Sequence, residues 1–173
     1  QLYQDDVTIG ANADLTSTVN GAITFDKTLN GSFTLAINTG GTTTFNGVVG
    51  GTAEPTSLTT DDDLTDGGAE LTVFNTSAIN ADVVVINDAL EIDQNVTVKA
   101  DTSVNFNNTI DSSLTEANDL LVNSPSTTFG DATGDDLVGG KTPLGSLITD
   151  DQGGADTTTI DTSVVSGAIL TFN

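Results

Sequence analysis

Residues 31–51 read GSFTLAINTGGTTTFNGVVGG. Two short runs, FTLAI and TTTF, are rich in β-branched and aromatic residues, and each is closed by Asn or Gly. That grammar describes a strand, a tight turn and another strand. It recurs along the chain as VTI, AITF, ELTVF, VVVI, VTV, VNF, TTF, TTTI and ILTF. Helix signals are nearly missing. The fold class is all-β.

The strand ends are spaced with a rhythm. An apolar or aromatic residue followed by a turn residue occurs at Tyr3-Gln4, Phe25-Asp26, Phe45-Asn46, Phe74-Asn75, Ile86-Asn87, Phe106-Asn107, Phe129-Gly130, Ile160-Asp161 and Phe172-Asn173. The steps are 22, 20, 29 and 12, then 20, 23, 31 and 12. Taking 29 and 12 together as two steps, the average is about 21 residues, the length of one turn of a β-solenoid. The expectation is a parallel β-helix of about eight coils, with Phe25 stacked on Phe45 and Ile86 on Phe106. Leu15, Leu35 and Leu58 form a second inner series, with Val98, Leu121 and Leu147 as counterparts. Thr and Asn side chains would stack in ladders.

The rhythm repeats because the chain echoes itself. TSLTTDDD (56–63) matches GSLITDDQ (145–152), and GGAELTVF (67–74) matches GGADTTTI (153–160) at an offset of 86 residues. Residues 1–87 and 88–173 read as two repeat units of one continuous solenoid. Two tandem β-sandwich domains are the alternative. Short strands, and the missing Pro/Gly linker over Ser77–Ala89, favour the solenoid. The stretch Leu114–Leu121 (LTEANDLL) has some helical character but no counterpart in the first unit, so a loop insertion is expected.

Composition bounds the function. The net charge is −22, with Lys27, Lys99 and Lys141 the only cations among side chains. Nucleic acid and anionic lipid are poor partners for such a surface. Cys, His, Met, Trp and Arg are absent, which removes thiol chemistry, zinc and imidazole bases. No apolar run approaches the roughly 18 residues of a membrane span, so membrane insertion is not expected. The chain opens with Gln1 rather than Met, as a mature exported chain or an excised segment would.

The text of residues 31–61 (GSFTLAINTGGTTTFNGVVGG…TSLTTD), 3–18 (YQDDVTIGANADLTST) and 85–101 (VINDALEIDQNVTVKAD) resembles the β-strand-repeat arrays of giant bacterial surface proteins, the filamentous-haemagglutinin and autotransporter-like adhesins. The match is looser in the second unit, where SLTEANDLLVNSPST departs from the pattern. The resemblance implies a parallel β-helix exported to the cell surface for attachment or fibre building. It implies no catalytic residues.

Candidate sites follow from the acids. Asp61, Asp62, Asp63 and Asp66, beside Gly67, Gly68 and Glu70, are echoed by Asp150, Asp151 and Asp156 beside Gly153 and Gly154. Asp131, Asp135 and Asp136 form a third cluster. Clustered carboxylates on flexible turns suit calcium, though the spacing is not an EF-hand and solvated acidic turns would read the same. Paired carboxylates also suit glycoside hydrolysis, but one Tyr, seven Phe and no Trp leave little for sugar stacking, and no enzyme is expected. Thr42–Thr44 and Thr157–Thr159 do not make a regular Thr array, because the triplets occur only once per unit; β-propensity is the simpler cause. The lysines read as solvated loop residues rather than partners in Lys–Asn isopeptide bonds.

The ends share a pattern. QLYQ (1–4) and LTFN (170–173) both match VVIN (84–87). The last coil of one copy is therefore expected to continue into the first coil of the next, through Leu2, Tyr3, Leu170 and Phe172. The function expected is a structural subunit or repeat module of an extracellular, cell-surface filament or adhesin, assembling head to tail with copies of itself. The alternative is a calcium-dependent module that binds a surface glycan or host protein.

Overall fold

A computed structural model describes residues 1–61, 70–131, 133, 135–149 and 156–172. Every strand pairing among these residues is parallel. The chain is a β-solenoid, not a pair of sandwiches.

The pairings define three faces. The first carries β1 (Leu2–Tyr3), β4 (Ile23–Phe25), β7 (Thr42–Phe45), β9 (Leu71–Phe74), β11 (Ala89–Ile92), β13 (Ile110–Ser112), β16 (Leu137–Val138) and β19 (Val164–Val165). The second begins with β2 (Val7–Thr8) and β5 (Leu29–Asn30), passes through Val49 by single bridges, and continues in the first halves of β10 (Ala78–Ile86) and β12 (Val96–Phe106). It ends with β14 (Leu120–Asn123), β17 (Leu144–Thr149) and β20 (Gly167–Phe172). The third carries β3 (Ala13–Ser17), β6 (Thr34–Thr39), β8 (Ser57–Thr60), the second halves of β10 and β12, β15 (Ser126–Phe129) and β18 (Thr157–Ile160). Strands β10 and β12 run through a corner, and their register shifts between Ala81 and Val83. Eight strands on the first face make about seven turns, one fewer than the spacing suggested.

The spacing misled for a physical reason. Tyr3, Phe25, Phe45 and Phe74 are successive partners on the first face. Ile86, Phe106, Phe129 and Ile160 are successive partners on the third, and Phe172 lies on the second, paired with Thr149. The 12-residue step from Phe74 to Ile86 is travel from one face to another within a coil. The 86-residue echo therefore maps strands onto different faces. Phe25 stacks on Phe45 and Ile86 on Phe106, as expected. The leucine series holds only in part: Leu35 pairs with Leu58 and Leu120 with Leu147, whereas Leu15 pairs with Ile37 and Leu121 points outward, half-buried. Leu114–Asp119 is a loop, and β14 begins at Leu120.

Each strand alternates inward and outward, as in TLAINT of β6, because side chains alternate across a pleated strand. Inward residues of successive coils form columns. Tyr3 and Phe25 stack with ring centroids 4.9 Å apart, Phe25 and Phe45 at 5.4 Å, and Phe106 and Phe129 at 5.5 Å; Phe45 meets Phe74 edge-on at 6.0 Å. Such pairs add to what burial alone contributes.

Corner amides have no ladder partner and find one in the preceding coil. Asp6 Oδ1 accepts from the Thr28 amide (3.2 Å), Asn12 Oδ1 from Thr34 (3.2 Å), Asn30 Oδ1 from Thr52 (2.9 Å) and Asn95 Oδ1 from Asp119 (2.9 Å). The turn residues that close each strand stack as ladders, as expected. Asn46 Nδ2 donates to Asp26 Oδ1 at 3.2 Å, Asn75 Nδ2 to Asn46 Oδ1 at 2.9 Å, and Asn107 Nδ2 to Asn87 Oδ1 at 2.7 Å. Gly130 replaces Asn in the latter row. Its φ is +89°, and a Cβ there would meet the Asp161 carbonyl oxygen at 2.6 Å, so only glycine fits.

The column predicts its own sensitivity. Phe45→Ala removes a fully buried ring between two others and is expected to cost about 3–5 kcal/mol. Phe33→Ala, at an exposed phenylalanine, is expected to cost less than about 1 kcal/mol. Urea denaturation midpoints check both.

Candidate functional sites

The two acidic loops expected to be equivalent occupy different corners. Residues 61–70 join β8 on the third face to β9 on the first, whereas 150–156 join β17 on the second to β18 on the third. Asp62, Asp63, Asp66, Asp150 and Asp151 lie outside the described residues. Asp61 is described and is 1% exposed, with φ at 48°. Its amide donates to the Ile37 carbonyl at 2.7 Å and its carbonyl accepts from Asn87 Nδ2 at 2.9 Å. The Asp61 backbone is thus tied into the inner corner. Asp156 is half-buried just before β18.

The third cluster is brought together. Carboxylate oxygens of Asp131, Asp135 and Asp136 lie within 4.8 Å of one another. Glycine at position 130 turns the chain out of β15, and the loop returns so that the Asp131 amide donates to Asp136 Oδ2 at 3.0 Å. The Thr133 hydroxyl sits between the carboxylates of Asp131 and Asp135, and the Thr133 amide donates to Asp131 at 2.9 Å. The Thr133 hydroxyl and amide hold the Asp131 carboxyl below its ordinary value. Burial, reinforced by the charges of Asp131 and Asp135, lifts that of Asp136, which is 6% exposed. Asn87, Asn107 and Asn108 line an adjacent depression with Asp131. Hard oxygen donors of this kind suit a divalent cation, which would relieve the repulsion, and three carboxylates supply only part of the six to eight oxygens calcium takes.

The end residues are placed at opposite ends of the rod. Tyr3 stacks on Phe25 and its hydroxyl donates to Gln1 Oε1 at 2.8 Å, while Leu2 is exposed. Leu170 and Phe172 are exposed on β20. The expected match of LTFN to QLYQ is corrected by the faces: Leu2 and Tyr3 lie on the first, Leu170 and Phe172 on the second. On Tyr3's own face the last strand is β19. Sequence reasoning missed Ile160, Val164 and Ile169, which are also exposed at that end. Their signal was present in TTTI, SVVS and AILTF, but only the face assignment separates an end residue from a core one.

Two of the three lysines, Lys27 and Lys99, make ion pairs. Lys99 Nζ lies 3.1 Å from Asp101 and 3.2 Å from Glu54, which together raise its pKa, and Lys27 lies 3.4 Å from Asp5. A further pattern was invisible in sequence. Outward positions of the third face from β6 onward are Thr34 and Ala36, Ser57 and Thr59, Val83 and Val85, Ser103 and Asn105, Ser126 and Thr128, and Thr157 and Thr159. None is charged. On β3 of this face Asp14 is an exposed outward acid, whereas Asp82 and Asp101 sit at the bends of β10 and β12.

No protein-family model, curated protein or solved structure matches the chain. No helix among the described residues is long and apolar enough to cross a membrane.

Asp136 generates a prediction. A carboxyl whose folded pKa is raised lends stability at acid pH that is lost as pH rises through that folded value. Asp136→Asn keeps an acceptor for the Asp131 amide and removes the charge. At pH 7 without divalent cations, Tm is expected to rise by about 2–4 °C, and the gain should vanish as pH falls below the ordinary aspartate range. Millimolar calcium supplies the cation test: a rise in wild-type Tm that Asp136→Asn abolishes supports binding at this corner, and no rise in wild type counts against it.

Proposed function

We propose that this chain is a structural module of an extracellular, cell-surface filament or adhesin, extending end to end through its terminal strands. The observation that carries the reading is the state of the two rod ends. Among the described residues, strands β1, β2 and β3 at one end, and β18, β19 and β20 at the other, have each paired on one side only. Apolar side chains are left exposed there, Leu2 at the first end and Ile160, Val164, Ile169, Leu170 and Phe172 at the second. Unpaired strand edges accept further strands. Because the two ends differ, the contact is heterologous and propagates without closing. Face matching sets the partners: β1 on β19, β2 on β20 and β3 on β18 of the next copy. The net charge of −22 keeps rods apart sideways. The absence of His, Cys and Arg fits a non-enzymatic role.

A second reading, a calcium-dependent module that binds a surface glycan or protein, draws on the oxygen donors gathered at Asp131, Asp135 and Asp136.

Negative-stain electron microscopy tests the first reading. Thin fibres with an axial repeat of roughly 35–40 Å are expected, from eight strands at about 4.8 Å each. Leu170→Pro and Val164→Asp should abolish them, whereas Leu114→Asp, in a corner loop two strands inside β19, should not. Isolated particles at high protein concentration would sink the self-assembling reading.

A further inference from the structure

Two corner loops fold back over the first face and build a groove. One spans residues 113–119, between β13 and β14; the other spans 139–143, between β16 and β17. Both are pinned to the sheet. Ser112 Oγ accepts from the Asn118 amide at 2.9 Å and donates to the Glu116 carbonyl at 3.0 Å, while Asn118 Nδ2 donates to the Ile92 carbonyl at 2.9 Å. Asp111 Oδ1 accepts the amides of Lys141 and Thr142, each at 2.9 Å. The turn into the second loop uses Gly139 at φ +66°, where a Cβ would meet the Ser166 carbonyl oxygen at 2.1 Å. The groove is therefore held open by the fold.

Its volume is about 190 Å³. Leu71 and Ala89 form an apolar floor, and Leu114, 73% exposed, stands at the rim. Glu91 is half-buried within it. Burial raises its carboxyl, and the charge of Asp93 adds to that. Lys141 acts on Glu91 by charge from the opposite wall, yet makes no ion pair with it. The groove thus pairs an excess of negative charge with an apolar wall.

We infer that this groove, between Leu71, Glu91 and Leu114, is a docking site for a lysine side chain of a basic partner protein. An ammonium on an aliphatic stem matches both parts, the stem lying on the leucines and the charge reaching Glu91. No aromatic ring among the described residues lines the groove, which disfavours a sugar. A chain of net charge −22 draws basic partners by long-range attraction. The inference is independent of end-to-end assembly.

Heteronuclear NMR titration of the full chain tests it, with the peptide acetyl-Gly-Lys-Gly-amide as probe and its norleucine analogue as control. Saturable shifts at the Leu71, Glu91 and Leu114 amides are expected, with a Kd on the order of millimolar. The norleucine peptide should bind at least about tenfold more weakly, as loss of a charged contact in a partly dry groove implies. Glu91→Gln should weaken binding by a similar factor, and Lys141→Ala should strengthen it by removing a competing ammonium. The proposal is overturned if no saturable shift occurs at these amides, or if norleucine binds equally. It is also overturned if Lys141→Ala weakens binding, which would assign the groove to an anionic or sugar ligand. Should Glu91→Gln fail to fold, the norleucine and Lys141 comparisons still decide.

Discussion

Parallel pairing sets each strand over its equivalent one coil earlier, about 4.8 Å away. Whatever points inward in one coil must then pack on what points inward in the next. The columns Tyr3–Phe25–Phe45–Phe74 and Ile86–Phe106–Phe129 follow from that spacing, because flat rings pack well at such a separation. The same constraint lets a chain that is only 36% apolar keep a dry interior. The core is thin, and one inward residue in two suffices to fill it. Of the polar residues that turn inward, Thr72 donates to Asp88 Oδ2 at 2.6 Å, whereas the buried hydroxyls of Thr43, Thr60 and Thr127 have no hydrogen-bond partner among the described residues.

The corners solve a different problem. Their amides fall outside the ladder, and a buried or half-buried amide without a partner is costly. Asp6, Asn12, Asn30, Asn95 and Asp111 each reach forward one coil to supply an acceptor. These Asp and Asn residues are explained by this geometry rather than by a charged ligand. Acids also suit corners because they can stay wet there, while from β6 onward the outward rows of the third face hold small neutral side chains.

The strand grammar of residues 31–51 was enough to read an all-β parallel solenoid, and the partners of Phe25 and Ile86 were legible too. Which face a strand occupies was not. Strand ends look alike on every face, so Phe74 and Ile86 read as neighbours in one column although they stand on different sheets. The same ambiguity joined LTFN to QLYQ and equated two acidic loops at different corners. The Asp131, Asp135 and Asp136 cluster was legible because its members are close in sequence. The groove at Glu91 was not, because Leu71, Glu91, Leu114 and Lys141 belong to four successive coils and meet only through two returning loops.

Coil length shows where such a fold keeps its variable parts. Phe25 and Phe45 are partners 20 residues apart, whereas Ile110 and Val138 are partners 28 apart. The extra residues enter corners, because the ladder fixes the strands and a longer loop adds little entropy cost. The Asp131 cluster and the lid of the groove both arise in these long coils. The rod ends depend on strand edges instead, many coils away at the first end. At the second end corner and edge adjoin, since the Ser163 amide donates to the Asp136 carbonyl at 3.2 Å and Val138 pairs with Val165, so effects of substitutions there should not simply add. A solenoid of this design can change what its corners bind without changing how its coils stack.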